Sequence, residues 1–465
     1  MALEFINSSR GKPLLKIDEH LFRKDRENDG KTNWRCIVKQ CKSRVKTCNG
    51  GHDGPSEHMH PPSPVGIEVR RKMNELRSYA VKNVSASNAT IIGNLVSTVD
   101  SEAVKGEMPN INLMRQRITY ARAAAGPSLP VNPLRREDLE IPEFLKTTFR
   151  GERFVHYDSG VGDVNRIIVF ATAKNLELLK MSPEWFVDGT FKVCPLIFHQ
   201  LYTFHVRLPD GKTVPVVYSL LPAKNAQTYR RLLQILLDAI DGFHPDAIHI
   251  DFELAMIREL EKVFPAAGIL GCSFHFCQCI WRRVQNDSEL RANYLRDADF
   301  ALGLRMFPAL SYVPVDQVRD LFATLTDSDF VRTNEALLTD FINYFESQWV
   351  GWNRNPPTMK VEWWNVHSST LNSMGRTNNE VEGWHSAFAR RVGSSHPSVF
   401  KLLEHLKVEQ GKVEFIASNS LAQGIGTTSK KKYRDRQARI YALVSTYEAR
   451  DSLQFLRAIA HNITF

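Results

Sequence analysis

No stretch of this sequence reaches the roughly 18 uninterrupted apolar residues of a membrane-crossing helix. Its opening, MALEFINSSR, has no apolar core of the kind a secretory signal carries. A membrane protein is thereby disfavoured, and a soluble, intracellular chain is expected. Cysteine is sparse and odd in number, seven residues in a chain of 465, and falls in small groups. That pattern argues against a disulfide framework and suits metal binding or free thiols in a reducing compartment. Acidic residues are outnumbered, 51 against 60 basic ones, for a net charge of +9 at pH 7. The excess favours a polyanionic partner, nucleic acid ahead of a membrane surface, although a solvated basic face has the same composition. At 43% hydrophobic residues the chain can bury sizeable cores, and its length suits about two to four domains.

The run WFVDGTF (185–191) puts one acid, Asp188, inside a short aromatic and β-branched segment that reads as a buried strand. An Asp-Gly pair alone more often marks a turn. The next segments favour the strand: QLYTFHVRL, the turn PDGK and TVPVVYSLL make two more, so that the three form an antiparallel meander. Tyr229, Leu232, Leu233, Leu236, Leu237 and Ile240 then recur at helical spacing. AIHIDFE (247–253) is a short strand ending on a second isolated acid, Asp251; the amphipathic run LAMIRELEKVF and a fifth strand, GILGCSF, come next.

Three strands, helix, strand, helix, strand is the order of the ribonuclease-H-like α/β fold, with a mixed five-stranded sheet. There the first and fourth strands are neighbours, so Asp188 and Asp251 can converge on a metal. A third acid is expected from a later helix. TNNEVEGWHSAFARRV (377–392) supplies it, with Thr377 or Asn378 as cap and Val381, Trp384, Phe388 and Val392 as the inward stripe. Glu382 lies beside that stripe with His385 one turn on, and Glu380 competes with it.

Residues 1–62 alternate short β-like runs with Gly, Asn and Asp turns, too small a unit to bury a full core. Cys36 and Cys41 followed by His58 and His60 give the two thiolates and two imidazoles that a structural zinc takes, with Cys48 and His52 as spare ligands. Arg35, Lys39, Lys42, Arg44 and Lys46 form a basic edge suited to phosphate contacts with DNA, or a solvated face.

In combination, DGTF, IDFE, GCSFHF and TNNEVEGWH resemble the transposase domain of Mutator-like elements (MULE), over about residues 180–395. The resemblance implies Asp188, Asp251 and Glu382 as the catalytic triad. It also implies Cys272 and His275 beside them, with His385, as auxiliary residues; His275 could contact a phosphate or orient a water, or be a packed core histidine. It implies double-stranded DNA as partner, an oligomer on DNA ends, and cleavage with strand transfer supported by two Mg2+ or Mn2+ ions bound to the three acids. The first segment resembles the FLYWCH-type zinc finger in its Phe5 strand, RGKP turn, Leu15, Phe22, Trp34-Arg35-Cys36 run, Cys41 and final His58-x-His60. It departs from that family at Glu19-His20-Leu21-Phe22, where Gly-Tyr is usual.

The remaining chain divides into a helical, helix-turn-helix-like segment or plain connecting helices at 66–125, with Arg115, Arg117 and Arg122; the first part of the catalytic domain at 150–286, entered by a hairpin or edge strands; an all-helical insertion at 287–370; the Glu382 helix and domain end at 371–416; and a basic C-terminal helix at 430–465. The run KKKYRDRQAR suits nuclear localisation or phosphate binding, although a basic run of this length is more often only a solvated face, and a nuclear protein is expected. Cys272, His275, Cys277 and Cys279 are close enough in sequence to raise a second zinc site, though so tight a set is awkward for four ligands. Trp349, Trp352, Trp363 and Trp364 either stack on extruded bases or pack in the insertion. A domesticated, catalytically silent DNA-binding regulator is the alternative function. A nuclease of RNA hybrids fits the acids but neither the zinc finger nor the insertion.

Overall fold

The computed structural model describes residues 3–8, 11–28, 30–48, 50–83, 86, 88–125, 129–352, 355–372, 378–423 and 431–463. The protein is a mixed α/β chain of two compact units, Met1–Val131 and Asn132–Phe465, each with its own core.

The first unit opens with a six-stranded antiparallel sheet in chain order: β1 (Glu4–Asn7), β2 (Pro13–Ile17), β3 (His20–Asn28), β4 (Lys31–Cys36), β5 (Arg44–Cys48) and β6 (Gly51–His52). Leu15, Phe22, Trp34, Cys36 and Val45 alternate inward to make a small core, and the Trp34 indole donates to Thr47 Oγ1 at 2.9 Å. The β2–β3 hairpin turns on Asp18 and Glu19, both at positive φ (46° and 56°). Two-residue hairpin turns favour that geometry, usually with Asn-Gly. Helices α1 (Pro64–Lys82), α2 (Asn88–Ser97), α3 (Glu102–Glu107) and α4 (Ile111–Ala125) come next. Met73, Leu76 and Ala80 of α1 share a core with Ile91, Ile92, Leu95, Met114 and Ile118. Helix α4 is capped by Asn110, whose side chain accepts from Leu113 N at 3.0 Å. Arg122 is structural: it donates to the carbonyls of Ala80, Asn83 and Ala86 and to the side chain of Asn88.

The second unit is built on a seven-stranded sheet. Its strands are β7 (Val155–Asp158), β8 (Ile168–Phe170), β9 (Glu184–Thr190), β10 (Gln200–Arg207), β11 (Thr213–Leu221), β12 (Ala247–Ile250) and β13 (Gly268–Gly271). The spatial order is β13-β12-β9-β10-β11-β8-β7. β9, β10 and β11 form the antiparallel meander, and β12 lies parallel between β9 and β13. β7 and β8 widen the five strands read from the sequence by pairing onto β11. Helices α5 (Ala226–Ala239) and α6 (Leu254–Val263) connect the later strands, and α7 (Ser273–Asn286) follows β13. One sheet face is apolar, with Trp185 and Val187 of β9 and Phe204 and Val206 of β10 packed with Leu232, Leu236 and Leu260 of the helices. The other carries the polar residues of the same strands, as period-two alternation requires.

Short helices fill the chain from Ser288 to Leu371. There Trp349, Trp363 and Trp364 are buried, and Trp352 is half exposed; three of the four tryptophans are packing residues. Helix α8 (Asn379–Val392) carries Glu382, and α9 (Val399–Gln423) continues through the polar stretch ASNSLAQ. Contact holds it in place, since Ser420 Oγ accepts from Asp210 N at 3.1 Å. The basic C-terminal segment contains two helices, α10 (Lys431–Val444) and α11 (Ser452–Ala460), in place of the single one expected.

Candidate metal centres

The first centre lies at the end of the small sheet. Cys36 Sγ is 3.2 Å from His60 Nε2, Cys41 Sγ is 3.5 Å from His58 Nδ1, and those two nitrogens are 3.3 Å apart. A tetrahedral zinc, at about 2.3 Å from sulfur and about 2.0–2.1 Å from nitrogen, spaces S and N by ~3.5 Å and N and N by ~3.3 Å. All four ligand atoms lie within 4.8 Å of one another, and among the described residues no other group of three or more such ligands does. The histidines are held for the task. His58 Nε2 is 3.2 Å from Ser43 Oγ, His60 Nδ1 is 2.9 Å from the Pro61 carbonyl, and the His20 ring stacks on His58 at 3.7 Å. Those contacts leave Nδ1 of His58 and Nε2 of His60 as the metal-facing atoms. Cys48 and His52 stay outside the set; Cys48 is exposed and His52 Nδ1 accepts from Gly54 N. On the basic edge, Arg35 and Arg44 sit opposite each other across β4 and β5 and share Asp25 at 3.6 and 3.8 Å. Lys39, Lys42 and Lys46 are only lightly covered.

The second candidate centre lies on the polar face of the large sheet. Asp188 sits in β9 opposite Thr203 of β10, and Asp251 directly follows β12, the parallel neighbour of β9. A Cβ at Gly189 would meet Gln200 Oε1 at 2.6 Å and displace that amide; the Asp-Gly pair lies within β9, not in a turn. Helix α8 packs on β9 with Val381, Phe388 and Val392 inward. Glu382 is partly buried and Glu380 is exposed. Asn378 occupies the cap position without a side-chain cap bond, its backbone N–H 3.2 Å from Cys272 Sγ, while Thr377 lies outside the described residues.

Each outer acid faces a histidine. His385 Nδ1 is 3.2 Å from Asp188 Oδ2, and His275 Nε2 is 3.1 Å from Glu382 Oε1. That Glu382 oxygen is buried and makes no hydrogen bond of good geometry. Burial, then the nearby Asp188 and Glu253, push the Asp251 carboxyl up from 3.8 to about 6. Burial opposes charging of His275, but its contacts with Cys272 and Glu382 outweigh it and raise the imidazole to about 10. Asp188 and Asp251 are close enough to act on each other's charge, but with Glu382 they do not bring three ligand oxygens within 4.8 Å of one another, and a hard divalent cation held by all three would have to draw them together. Burial pushes the Cys277 thiol up to about 12 and raises Cys279 as well, and among the described residues these cysteines form no second cluster of three or more metal ligands.

Sequence reasoning missed the shell around these acids. Thr203 Oγ1 donates to the Asp188 carbonyl at 3.2 Å and lies 3.1 Å from His385 Nε2 and 2.9 Å from His205 Nε2. Glu253 accepts a short hydrogen bond from Tyr229 and pairs with Lys224 at 3.2 Å, and Gln200 Nε2 donates to the Tyr229 hydroxyl at 2.8 Å. The available signal was the period-two recurrence of Thr203 and His205 in an otherwise apolar strand.

Residues 5–60 match the FLYWCH zinc finger domain and residues 184–279 the MULE transposase domain. No curated protein matches the chain. The first match spans all four zinc ligands; the second spans Asp188, Asp251, Cys272 and His275 and ends before Glu382 and His385. Together the two domains point to a transposase-like, DNA-binding protein, and no helix among the described residues is long and apolar enough to cross a membrane.

Two outcomes are expected. A strong chelator, or Cys36→Ser, should abolish the cooperative unfolding of the FLYWCH unit seen by near-ultraviolet dichroism of Trp34, and added Zn2+ should restore only the chelated wild type. For Asp251, the folded state holds its proton at a higher pH than the unfolded chain, so stability falls as pH rises from 3.8 through about 6. Without added divalent cation, Asp251→Asn should therefore be more stable than wild type at pH 8, by about 1–2 kcal/mol allowing for partial exposure, and indistinguishable at pH 3.5 in thermal melts.

Proposed function

We propose that this protein is a Mutator-like transposase that cleaves DNA at element ends and joins the freed 3′ end to a target, using Asp188, Asp251 and Glu382 on a ribonuclease-H-like core. The observation that carries this is the convergence on one sheet face of acids from two adjacent parallel strands, with a glutamate helix packed on the same strand as Asp188. The meander followed by β12 and β13 supports the ribonuclease-H-like reading. Asp188, Asp251 and Glu382 would hold two Mg2+ or Mn2+ ions, which supply Lewis acidity and an activated water or 3′-hydroxyl. The protein's own residues orient the reaction. His385 meets the Asp188 carboxylate while Thr203 holds the other nitrogen of that ring and the Asp188 carbonyl, the Glu253–Tyr229–Gln200 bonds steady the segment carrying Asp251, and cationic His275 is offered to a phosphate oxygen. The zinc finger presents Lys39, Lys42 and Lys46 to the DNA backbone, contacts that position rather than specify. This reading entails assembly of copies on DNA ends and residence in the nucleus.

A domesticated, catalytically silent DNA-binding regulator is the second reading. Its supporting observation is that Asp188 and Glu382 each already face a histidine.

The deciding experiment is cleavage of labelled duplex DNA by purified protein with Mg2+ or Mn2+, beside Asp188→Asn. Metal-dependent cleavage by wild type, lowered at least ~1,000-fold in the variant, is expected. Equal salt-sensitive binding by both with no cleavage by either would replace the transposase with the silent regulator.

A further inference from the structure

The first unit carries a second concentration of positive charge, on its helices instead of its finger. Arg70 and Arg77 stand two turns apart on α1, three residues before and four after Met73. Arg117 lies on α4 between Met114 and Tyr120, next to Ile118. Met73, Met114 and Ile118 belong to one core, and helical spacing puts residues at i, i+3 and i+7 along one stripe. The three arginines therefore line the seam between α1 and α4. All are partly buried. Arg70 Nε is buried without a hydrogen-bond partner. Arg77 donates to the Ser8 carbonyl at 3.3 Å.

Neither Arg70 nor Arg117 forms an ion pair with an acid among the described residues. Burial first, and repulsion from Arg117 second, hold the Arg70 guanidinium below its ordinary range; Arg77 is lowered by burial, by Arg117 and by Arg70. The nearby carboxylates are engaged by other cations: Glu4 and Glu68 pair with Arg71, and Glu75 with Lys72. Arg122 on the same α4 shows the contrasting case, since it is equally withdrawn from water but meets four acceptors. A group of partly desolvated like charges lowers stability unless something anionic joins it. Guanidinium forks match the oxygens of a phosphate.

We propose that Arg70, Arg77 and Arg117 form a phosphate-binding site that takes the sugar-phosphate backbone of duplex DNA. The inference rests on the proposed DNA binding and adds an anchor on the helices, separate from the lysines of the finger. Such an anchor sets affinity and register and leaves sequence choice to other contacts.

The test uses the full zinc-loaded chain and a labelled duplex of arbitrary sequence, read by fluorescence anisotropy from about 50 to 200 mM salt. Arg70→Gln/Arg117→Gln spares Arg77 and its bond to Ser8. It should bind roughly 10-fold or more weakly at 100 mM salt, with a log–log salt slope shallower by about 2. Its Tm should be unchanged or raised, because repulsion is relieved. The charge-keeping Arg70→Lys/Arg117→Lys should retain most of the slope. Wild-type affinity and slope in the Gln variant would overturn the site, as would a loss of binding that appears only with a fall in Tm. Absence of DNA binding by the wild-type chain at 50 mM salt would overturn DNA binding itself.

Discussion

Like charge on a half-buried sheet face is the constraint on which the second unit depends. Asp188 and Asp251 reach the same face because β9 and β12 are adjacent and parallel, and Glu253 adds a further carboxylate beside Asp251. Left alone, such a group penalises folding, and the surrounding residues act as its counterweights. His385 stands against Asp188, His275 against Glu382, and Lys224 against Glu253. Stability surrendered in this way is characteristic of a face arranged for chemistry, where a bound cation would replace the partial compensation of the histidines.

The first unit faces the opposite shortage. Its sheet buries few side chains, so the finger needs a metal to close it. The ligand spacing already matches a tetrahedral ion, and each histidine has its other ring nitrogen engaged. Its excess charge is positive, with lysines along the finger and arginines along the α1–α4 seam. The two units thus combine a cationic surface suited to a polyanion with an anionic site suited to divalent ions.

Much of this was legible in the chain. Alternation in QLYTFHVR and the apolar runs of WFVDGTF and AIHIDFE announced the strands, and the acids within them marked the candidate site, because a charged residue in an apolar run has few structural uses. The zinc set was legible because Cys36, Cys41, His58 and His60 are close in sequence. Other features depend on distant contacts. The β7 and β8 edge strands are short, β8 pairing with β11 and β7 with β8, and the end of α9 is held by Asp210, about two hundred residues away in sequence. The Glu253–Tyr229–Gln200 bonds join three separate elements, which no local pattern encodes.

The central claim is that Asp188, Asp251 and Glu382 together bind divalent cations. The most direct measurement is a Mn2+ titration of the zinc-loaded protein followed by electron paramagnetic resonance, with Glu382→Gln and Asp251→Asn beside wild type. The account predicts bound Mn2+ in the wild-type protein and at least a tenfold loss of affinity in each variant. Equal Mn2+ binding in all three, or none in the wild type, would contradict it.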